Sequence, residues 1–365
     1  PTFTRNSVAY LSDGTQVAAN QPRFEQGKFG KAIMVEEGTT NLFNINNVRK
    51  SNTYVPTEII SDYHVIAYYN NPTGGAGNWA WSSGWFYIIY KAPFSQGNYS
   101  LSFDAKILEQ GDYGTVLKLR LINGDAVILK DLGTIELSQE FKHFIVQFNV
   151  DVENADALQI ALNSNSVEFK NIQLEAKPYA TSFIDGTRSP ESLTIPTAGV
   201  LNPQEGTVDI YLYVNPAHRD PTLVRRFFSH MPGPGNANRI TMQHNNTAFW
   251  LFTIGAASGN IHSVSISDSE VADGWRLFTM KWSSEEFAVF VDGIKMRSVA
   301  NPTYLPSSVG SEIKIENNTN ALVDFVRISN RARTDEEILA AYQSGQPLQR
   351  DEDTTYLLTF NGSIY

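Results

Sequence analysis

ALVDFVRISNRARTDEEI, Ala321 to Ile338, reads as a strand that runs into a helix. DFVRIS is a strand candidate. In TDEEILAAYQSG, Thr334 and Glu337 have capping-box spacing, and Ile338, Ala341 and Tyr342 form one apolar stripe. Gly345 is placed to end the helix, which is the sole convincing one in the chain. A second stretch, FKNIQLEAKPYATSFIDGTRS, Phe169 to Ser189, closes the first half. Between them these two segments divide a strand-rich sequence.

The first half holds GWFYIIY, NYSLSFDAKIL, VLKLRLI, HFIVQFNV, ALQIAL and VEFKNIQLE as strand candidates. In NYSLSFDAK, Tyr99, Leu101 and Phe103 alternate with polar residues, which predicts one buried face. IDGTRSPESLTIP, Ile184 to Pro196, reads as a linker. Beyond it come GTVDIYLYV, RRFFSH, RITMQH, AFWLFTI, HSVSIS, WRLFTMKW, FAVFVDGIKM, EIKIE and TYLLTF. Asp292-Gly293 marks a hairpin turn between FAVFV and IKMRS. Near the start, Asp13-Gly14 reads as a tight turn. GKFGKAIMVEE follows as a strand, with Ile33 and Val35 on one face and Met34 on the other. Short strands separated by Asn, Gly, Asp and Pro point to sandwiches or jelly rolls.

Composition narrows the function classes. The chain has 365 residues, enough for two cores. A net charge of −10 and no cluster of Lys and Arg argue against a nucleic-acid backbone as partner. There are no cysteines, which removes disulfides, thiolate metal sites and cysteine nucleophiles. No apolar run approaches the roughly 20 residues that span a bilayer, so no membrane insertion is expected. PTFTRNSVAY lacks the basic and apolar regions of a signal peptide, and synthesis in the cytoplasm is the expectation.

Four stretches resemble parts of phage virion proteins that pair a carbohydrate-binding-module-like jelly roll with a concanavalin-A-like or laminin-G-like sandwich. AYLSDGTQVAANQPRFEQGKFGKAIMVEEGTTNLF resembles their opening segment. NYSLSFDAK with IQLEAKPYATSFI resembles the jelly-roll core and last strands. WRLFTMKW with FAVFVDGIKM resembles the central laminin-G hairpin, and DFVRISNRARTDEEI its terminal strand and helix. The resemblance implies an all-β chain of two antiparallel β-sandwich (jelly-roll) domains with one short C-terminal helix. It implies a jelly roll at residues 41–185 and a concanavalin-A-like/laminin-G-like sandwich at 186–365. Residues 1–40 would either pack with the C-terminal sandwich, making the jelly roll an insertion, or form an independent arm or dock on the jelly roll.

Trp79, Trp81, Trp85 and Tyr87 lie in NWAWSSGWFYIIY. Residues two apart share a face in an extended chain, so Trp79 pairs with Trp81 and Trp85 with Tyr87. Flat rings suit the apolar face of a pyranose. Trp79 and Trp81 follow the loop-like NPTGGAGN and are the platform candidates. Trp85 and Tyr87 read either as ligand contacts or as core of a central strand. Trp250, Trp275 and Trp282 sit in apolar strand patterns and are expected in a core. PGPGNAN, Pro232 to Asn238, is a polar loop at a sandwich end, where recognition can reside.

Structural calcium is common in both resembled families, and Asp185, Asp209, Asp273 and Asp324 are its candidate ligands. Lys170 stands where the jelly-roll module often has an acidic residue. Catalysis is not expected. There is no E-x-D-x-x-E strand pattern, and Glu36-Glu37 and Glu285-Glu286 are adjacent in sequence, so their members diverge on strands. Glu336-Glu337 belong to the helix. The six histidines lack HExxH spacing, and neither a G-x-S-x-G elbow nor a GxxxxGK[ST] loop occurs.

The expectation is a non-enzymatic virion protein of a tailed phage, in tail, baseplate or capsid decoration. It would act as a homo-oligomer that adheres to cell-surface polysaccharide or glycan. Two alternatives stand beside it. One is a scaffold that binds only other virion proteins. The other is an accessory sugar-binding module of a bacterial extracellular enzyme.

Overall fold

The computed structural model describes residues 1–50, 57–67, 85–91, 94–109, 116–123, 127–163, 166–220, 222–316 and 318–360; side chains at 49–50, 57–58, 85–89, 109 and 163 lie outside the description. The architecture is all-β, in antiparallel sheets, with the single α-helix Asp335–Gln343 among the described residues. The chain divides into two compact units, residues 1–39 with 188–365, and residues 40–187.

The larger unit is a sandwich. One sheet has seven strands, in the order Thr2–Thr4, Ser192–Pro196, Glu312–Ile315, Arg225–His230, Ile240–His244, Phe249–Gly255 and Ile261–Ser267. The other has eight. Its path runs Ile294–Ala300, Glu286–Val291, Gly274–Trp282, Gly206–Val214, Ala321–Ser329, Lys31–Val35 and Arg23–Gln26, and Thr354–Thr359 also pairs with Ala321–Ser329. Alternation decides which residues meet between the sheets. Val208, Ile210, Leu212 and Val214 point inward from one strand, and Ile240, Met242, Phe252 and Ile254 from two others. Trp250 stacks on Phe278 at 4.6 Å and on Phe227 at 5.2 Å. Trp282 is fully buried and donates its indole N–H to the Pro203 carbonyl at 3.2 Å. Gly206 makes room for that ring, since a Cβ there would fall 2.5 Å from it.

The N-terminal strand Lys31–Val35 pairs with Ala321–Val323, placing Ile33 opposite Val323. Buried charge fastens this arm. Glu191 is fully buried and accepts from Arg5 Nη1 at 2.8 Å, Arg23 Nε at 2.8 Å, Arg23 Nη2 at 2.7 Å and the Glu36 amide at 2.9 Å. Glu36 in turn takes Arg23 at 2.6 Å and Arg188 at 3.1 Å. The stretch Ile184–Pro196, expected as a linker, is therefore built structure. Arg188 and Glu191 carry the ion network, and Leu193 and Ile195 enter the core from the strand Ser192–Pro196. Its Pro and Ser composition concealed an alternating strand beside two buried charges.

The smaller unit has two five-stranded sheets. One runs Ile128–Glu136, Val116–Ile122, Ala157–Asn163, Trp85–Lys91, Val48–Lys50; the other runs Lys142–Val150, Gly97–Glu109, Ser166–Glu175, His64–Ala67, Thr57–Ser61. Tyr99, Leu101 and Phe103 enter its core as expected. The opposite face is closed too, contrary to the one-face reading. Ser100 and Ser102 are buried, and Ser100 donates to the Tyr179 carbonyl at 2.8 Å. Gln173 and Glu175 are likewise held by the Thr181–Ile184 segment, with Thr181 Oγ1 donating to Glu175 at 2.8 Å. Polar residues on this face answer a covering chain segment rather than water.

Two predictions follow from the larger unit. Glu191→Gln leaves two buried guanidinium groups short of their shared carboxylate, so the urea unfolding free energy drops by about 3–5 kcal/mol with the m-value unchanged. His218 is fully buried, and burial, with the Arg225 charge second, lowers its pKa to about 3. An unfolded histidine takes up its proton near pH 6.5, so below that pH the unfolded state binds more protons and stability falls as pH drops toward 3. His218→Asn removes about 1.4 kcal/mol per pH unit of that slope, measured by urea titrations between pH 7 and 5.

Candidate functional site

Residues of odd number on Gly206–Val214 face away from the sandwich core, and two of them are tyrosines. Register sets Tyr211 opposite Phe325 on one neighbouring strand, and Tyr213 opposite Trp275 on the other. The rings meet in sequence: Phe325 and Tyr211 at 5.5 Å, Tyr211 and Trp275 at 5.9 Å, Trp275 and Tyr213 edge-on at 5.6 Å. Burial is graded along this strip. Phe325 and Tyr211 are buried, Trp275 is half-buried, and Tyr213 is 40% exposed. Trp275 thus departs from the core expectation that Trp250 and Trp282 meet, because it stands on the outer face of its strand.

Beside the buried end of the strip lies a cleft of about 230 Å³, lined by Phe29, Tyr211, Leu277, Phe325, Tyr342 and Leu348, with Lys28, Gln343 and Gln346 as polar members. One wall is the turn at residues 27–30. A register shift opposite Tyr211 and Leu212 accommodates Asp324 beside Phe325, the re-aiming that a bulge performs. Asp324 Oδ2 then accepts the Phe29 amide at 2.9 Å. Gly27 is required there, since a Cβ would lie 2.4 Å from the same oxygen. Burial raises the Asp324 pKa, against the backbone donors of Phe29 and Lys28.

The other wall is the helix and the chain that leaves it. Thr334 and Glu337 form the expected capping box, and Gly345 at φ 62° turns the chain toward Leu348. Asp335 receives Lys281 at 2.5 Å and Lys295 at 2.6 Å, while Arg331 grips Glu337 with both terminal nitrogens at 2.6 and 2.7 Å. Arg331 holds the Glu337 carboxyl down to about 2. Ile338 packs with Ala288 and Phe290 on the same sheet face. Burial, then the charge of Asp292, pushes the Tyr211 hydroxyl up to about 12, so it stays a neutral donor and acceptor.

Trp79 and Trp81 lie outside the described residues; Trp85 and Tyr87 lie on the strand Trp85–Lys91, with their side chains outside the description. The four aspartates do not come together. Asp209 is buried and accepts from Thr279 at 2.6 Å and Arg327 at 2.8 Å. Asp273 pairs with Arg219 at 2.7 Å, and Asp324 holds the 27–30 turn. Asp185 lies in the smaller unit, where it bonds the Tyr63 hydroxyl; burial first, and Asp185 next, push that hydroxyl up to about 12. Among the described residues no three His, Cys, Asp or Glu side chains gather in a way that could hold a metal. Lys170 instead sits over the Phe141 ring at 4.0 Å. The cleft residues Phe29, Tyr211, Phe325 and Tyr342, and Tyr213 at the open end of the strip, were not singled out as ligand contacts. The available signal was the Tyr-x-Tyr spacing in DIYLYV, which puts two rings on one face.

With this geometry in view, residues 186–339 match a laminin-G-type family model described as the concanavalin A-like lectin/glucanases superfamily. The chain therefore contains a concanavalin A-like, laminin G-like domain. No curated protein matches it. Among solved structures it is similar to the receptor-binding domain of botulinum neurotoxin mosaic serotype C/D, at 12% identity over 42% of this chain and 40% of that one, with a TM-score of 0.35. It is similar to the Ruminococcus gnavus IT-sialidase CBM40 bound to α2,3 sialyllactose, at 10% identity over 40% of this chain and 84% of that one, TM-score 0.31. It is also similar to a heptameric SAP-like pentraxin of Limulus polyphemus, at 14% identity over 44% and 81%, TM-score 0.32. The chain spans less than half of the toxin structure it matches.

The hairpin turn at Asp292-Gly293 supports the helix wall. Both residues have positive φ, and a Cβ on Gly293 would stand 3.0 Å from Tyr342 Cβ and 3.2 Å from Leu339 Cα. Gly293→Ala is expected to cost about 1–2 kcal/mol from the left-handed backbone alone and to displace the helix from the sheet. The readouts are a lower melting temperature and a shift in Trp275 fluorescence, compared in a Trp275→Phe background.

Proposed function

We propose that this protein is a non-catalytic glycan-binding protein and that the aromatic cleft is its sugar site. One observation carries the reading: the ring strip from Phe325 to Tyr213 passes from buried to open beside a concave space with a polar rim. Buried rings fix the exposed ones in place, which lowers the ordering cost of binding. Trp275 and Tyr213 offer apolar surface to a pyranose ring, while Gln343, Gln346 and Lys28 supply hydrogen bonds for its hydroxyls. A site of this size gives weak affinity for one sugar unit. Display of many copies on one particle multiplies it through effective concentration.

The virion setting, in tail, baseplate or capsid decoration, rests on the sequence resemblance of the four stretches. Mass spectrometry of purified particles tests it: absence of the chain from the virion removes that part of the reading and leaves the sugar site standing.

The sugar site is tested on a glycan array. The Tyr213→Ala, Trp275→Ala double variant is expected to lose at least tenfold in signal on every glycan the wild type binds. Tyr213 is exposed, so Tyr213→Ala alone keeps the wild-type melting temperature and separates binding from folding. Unchanged binding in the double variant, or no glycan bound by the wild type at any density, rejects the cleft. A Trp79→Ala, Trp81→Ala variant run in parallel reports on the first-half platform.

A further inference from the structure

We propose that Arg226 and Arg239, on the outer face of the seven-stranded sheet, form a second binding site that takes the carboxylate of an acidic sugar. It is independent of the aromatic cleft, which lies on the other sheet of the same sandwich.

Register builds the face. Thr2 pairs with Thr194, Thr194 with Lys314, Lys314 with Ser229, Ser229 with Thr241, Thr241 with Thr253 and Thr253 with Ser263. One row of hydroxyls, interrupted by a single lysine, therefore crosses all seven strands. The next row brings Arg226, Gln243, Leu251 and Ser265 into line. The residues that alternate with them, such as Ile240, Met242, Phe252 and Ile254, fill the core. Ser229, Thr241 and Thr253, in the middle of the row, are buried, and the exposed hydroxyls of Ser263 and Ser265 lie on its last strand. The two arginines give the face its selectivity.

Arg239 lies along this face on three neutral acceptors. Its Nε donates to Thr241 Oγ1 at 3.1 Å, Nη1 to Asn236 Oδ1 at 2.8 Å and Nη2 to Gln243 Oε1 at 2.8 Å. No carboxylate among the described residues forms an ion pair with it. The nearby acid is Glu316, and that is already engaged, by Arg226 Nη1 at 2.9 Å and Ser229 Oγ at 2.6 Å. Arg226 Nε is buried and has no hydrogen-bond partner among the described residues. Two guanidinium groups thus lie near one carboxylate that pairs with Arg226 alone, in a chain whose net charge is −10. Burial, with the field of Arg226 behind it, lowers the Arg239 pKa, yet a guanidinium remains charged at any physiological pH. An anion laid across the pair relieves the mutual repulsion.

The pair is held in advance of any ligand. Asn236 belongs to the loop Pro232–Asn238, which is packed so closely on the sheet that a Cβ on Gly255 would lie 2.4 Å from the Asn236 carbonyl. Asn238, at φ 53°, accepts from the Ser307 amide at 2.9 Å and donates to Ser308 Oγ at 3.0 Å. A planar fork fixed in this way matches a planar carboxylate with two parallel hydrogen bonds. Exposed Ser263 and Ser265 stand ready for the hydroxyls of the same or the next sugar. A uronate residue within a polysaccharide combines these two chemistries.

The test is calorimetric titration of the whole chain with tetragalacturonate, its methyl ester, and a sulfated neutral tetrasaccharide, at low and high salt. The wild type is expected to bind tetragalacturonate, to lose at least tenfold for the methyl ester, and to weaken as salt rises. Arg239→Gln should lose at least tenfold, and Arg239→Lys, which keeps the charge without the fork, should lose most of that. Tyr213→Ala should bind tetragalacturonate as the wild type does, which keeps this result separate from the fate of the cleft. Equal binding of acid and ester overturns the proposal, and needs no variant to fold. So do wild-type affinity in a folded Arg239→Gln, tighter binding of the sulfated sugar, and no measurable binding of the uronate.

Discussion

Each oxygen of the Glu191 carboxylate takes two hydrogen bonds, and these reach residues 5, 23 and 36. The larger unit depends on this group because its polypeptide is discontinuous. Residues 1–39 contribute an edge to both of its sheets, and no covalent link holds them there except through the 40–187 unit. Apolar contact along Lys31–Val35 supplies affinity without register. Three buried arginines and the two carboxylates of Glu36 and Glu191 supply it, since a slip of one residue strands a charge out of water. Burying so much charge is defensible only where position has to be specified.

The outer face of the eight-stranded sheet shows how that precision reaches a site. The turn carrying Phe29 belongs to the same arm, directly after the strand that begins at Arg23, and Asp324 meets it from a strand near the other end. The helix arrives separately, anchored by Lys281, Lys295 and Arg331. Three distant pieces of sequence therefore define one small space. The seven-stranded sheet presents the opposite character, hydroxyls and guanidinium groups in rows. One sandwich thus has an aromatic side and a charged side.

What the sequence disclosed follows from how local each feature is. The capping box at Thr334 and Glu337, the turn at Asp292-Gly293 and the alternation of Tyr99, Leu101 and Phe103 depend on neighbours a few residues apart, and each is present in the structure. The all-β class was legible in the many short strand patterns. The ring strip was hidden because Tyr211, Trp275 and Phe325 meet only once three strands are in register. The Arg226 and Arg239 pair was hidden for the same reason. Ile184–Pro196 misled in the other direction: Pro and Ser suggested a linker, whereas the charges of Arg188 and Glu191 are partners of residues 150 and more positions earlier. The four aspartates were chosen as residue types for a cation, and their partners in the structure are arginines, hydroxyls and a backbone amide.

The strand Ala321–Ser329 changes partner along its length, pairing with Lys31–Val35 through Val323 and with Thr354–Thr359 from Phe325 onward. Phe29 and Asp324, joined by a hydrogen bond at this change-over, are 295 positions apart in the chain. On the ribosome, then, the first strands emerge long before anything exists to pair with them. Both five-stranded sheets of the 40–187 unit have their strands by the time residue 175 is made, and can close first. The other sandwich has to wait with its edges open until Thr359 is free. Its folding waits for the residues up to 359, slow by its long-range topology, and the early strands stay meanwhile in the state most exposed to wrong pairing.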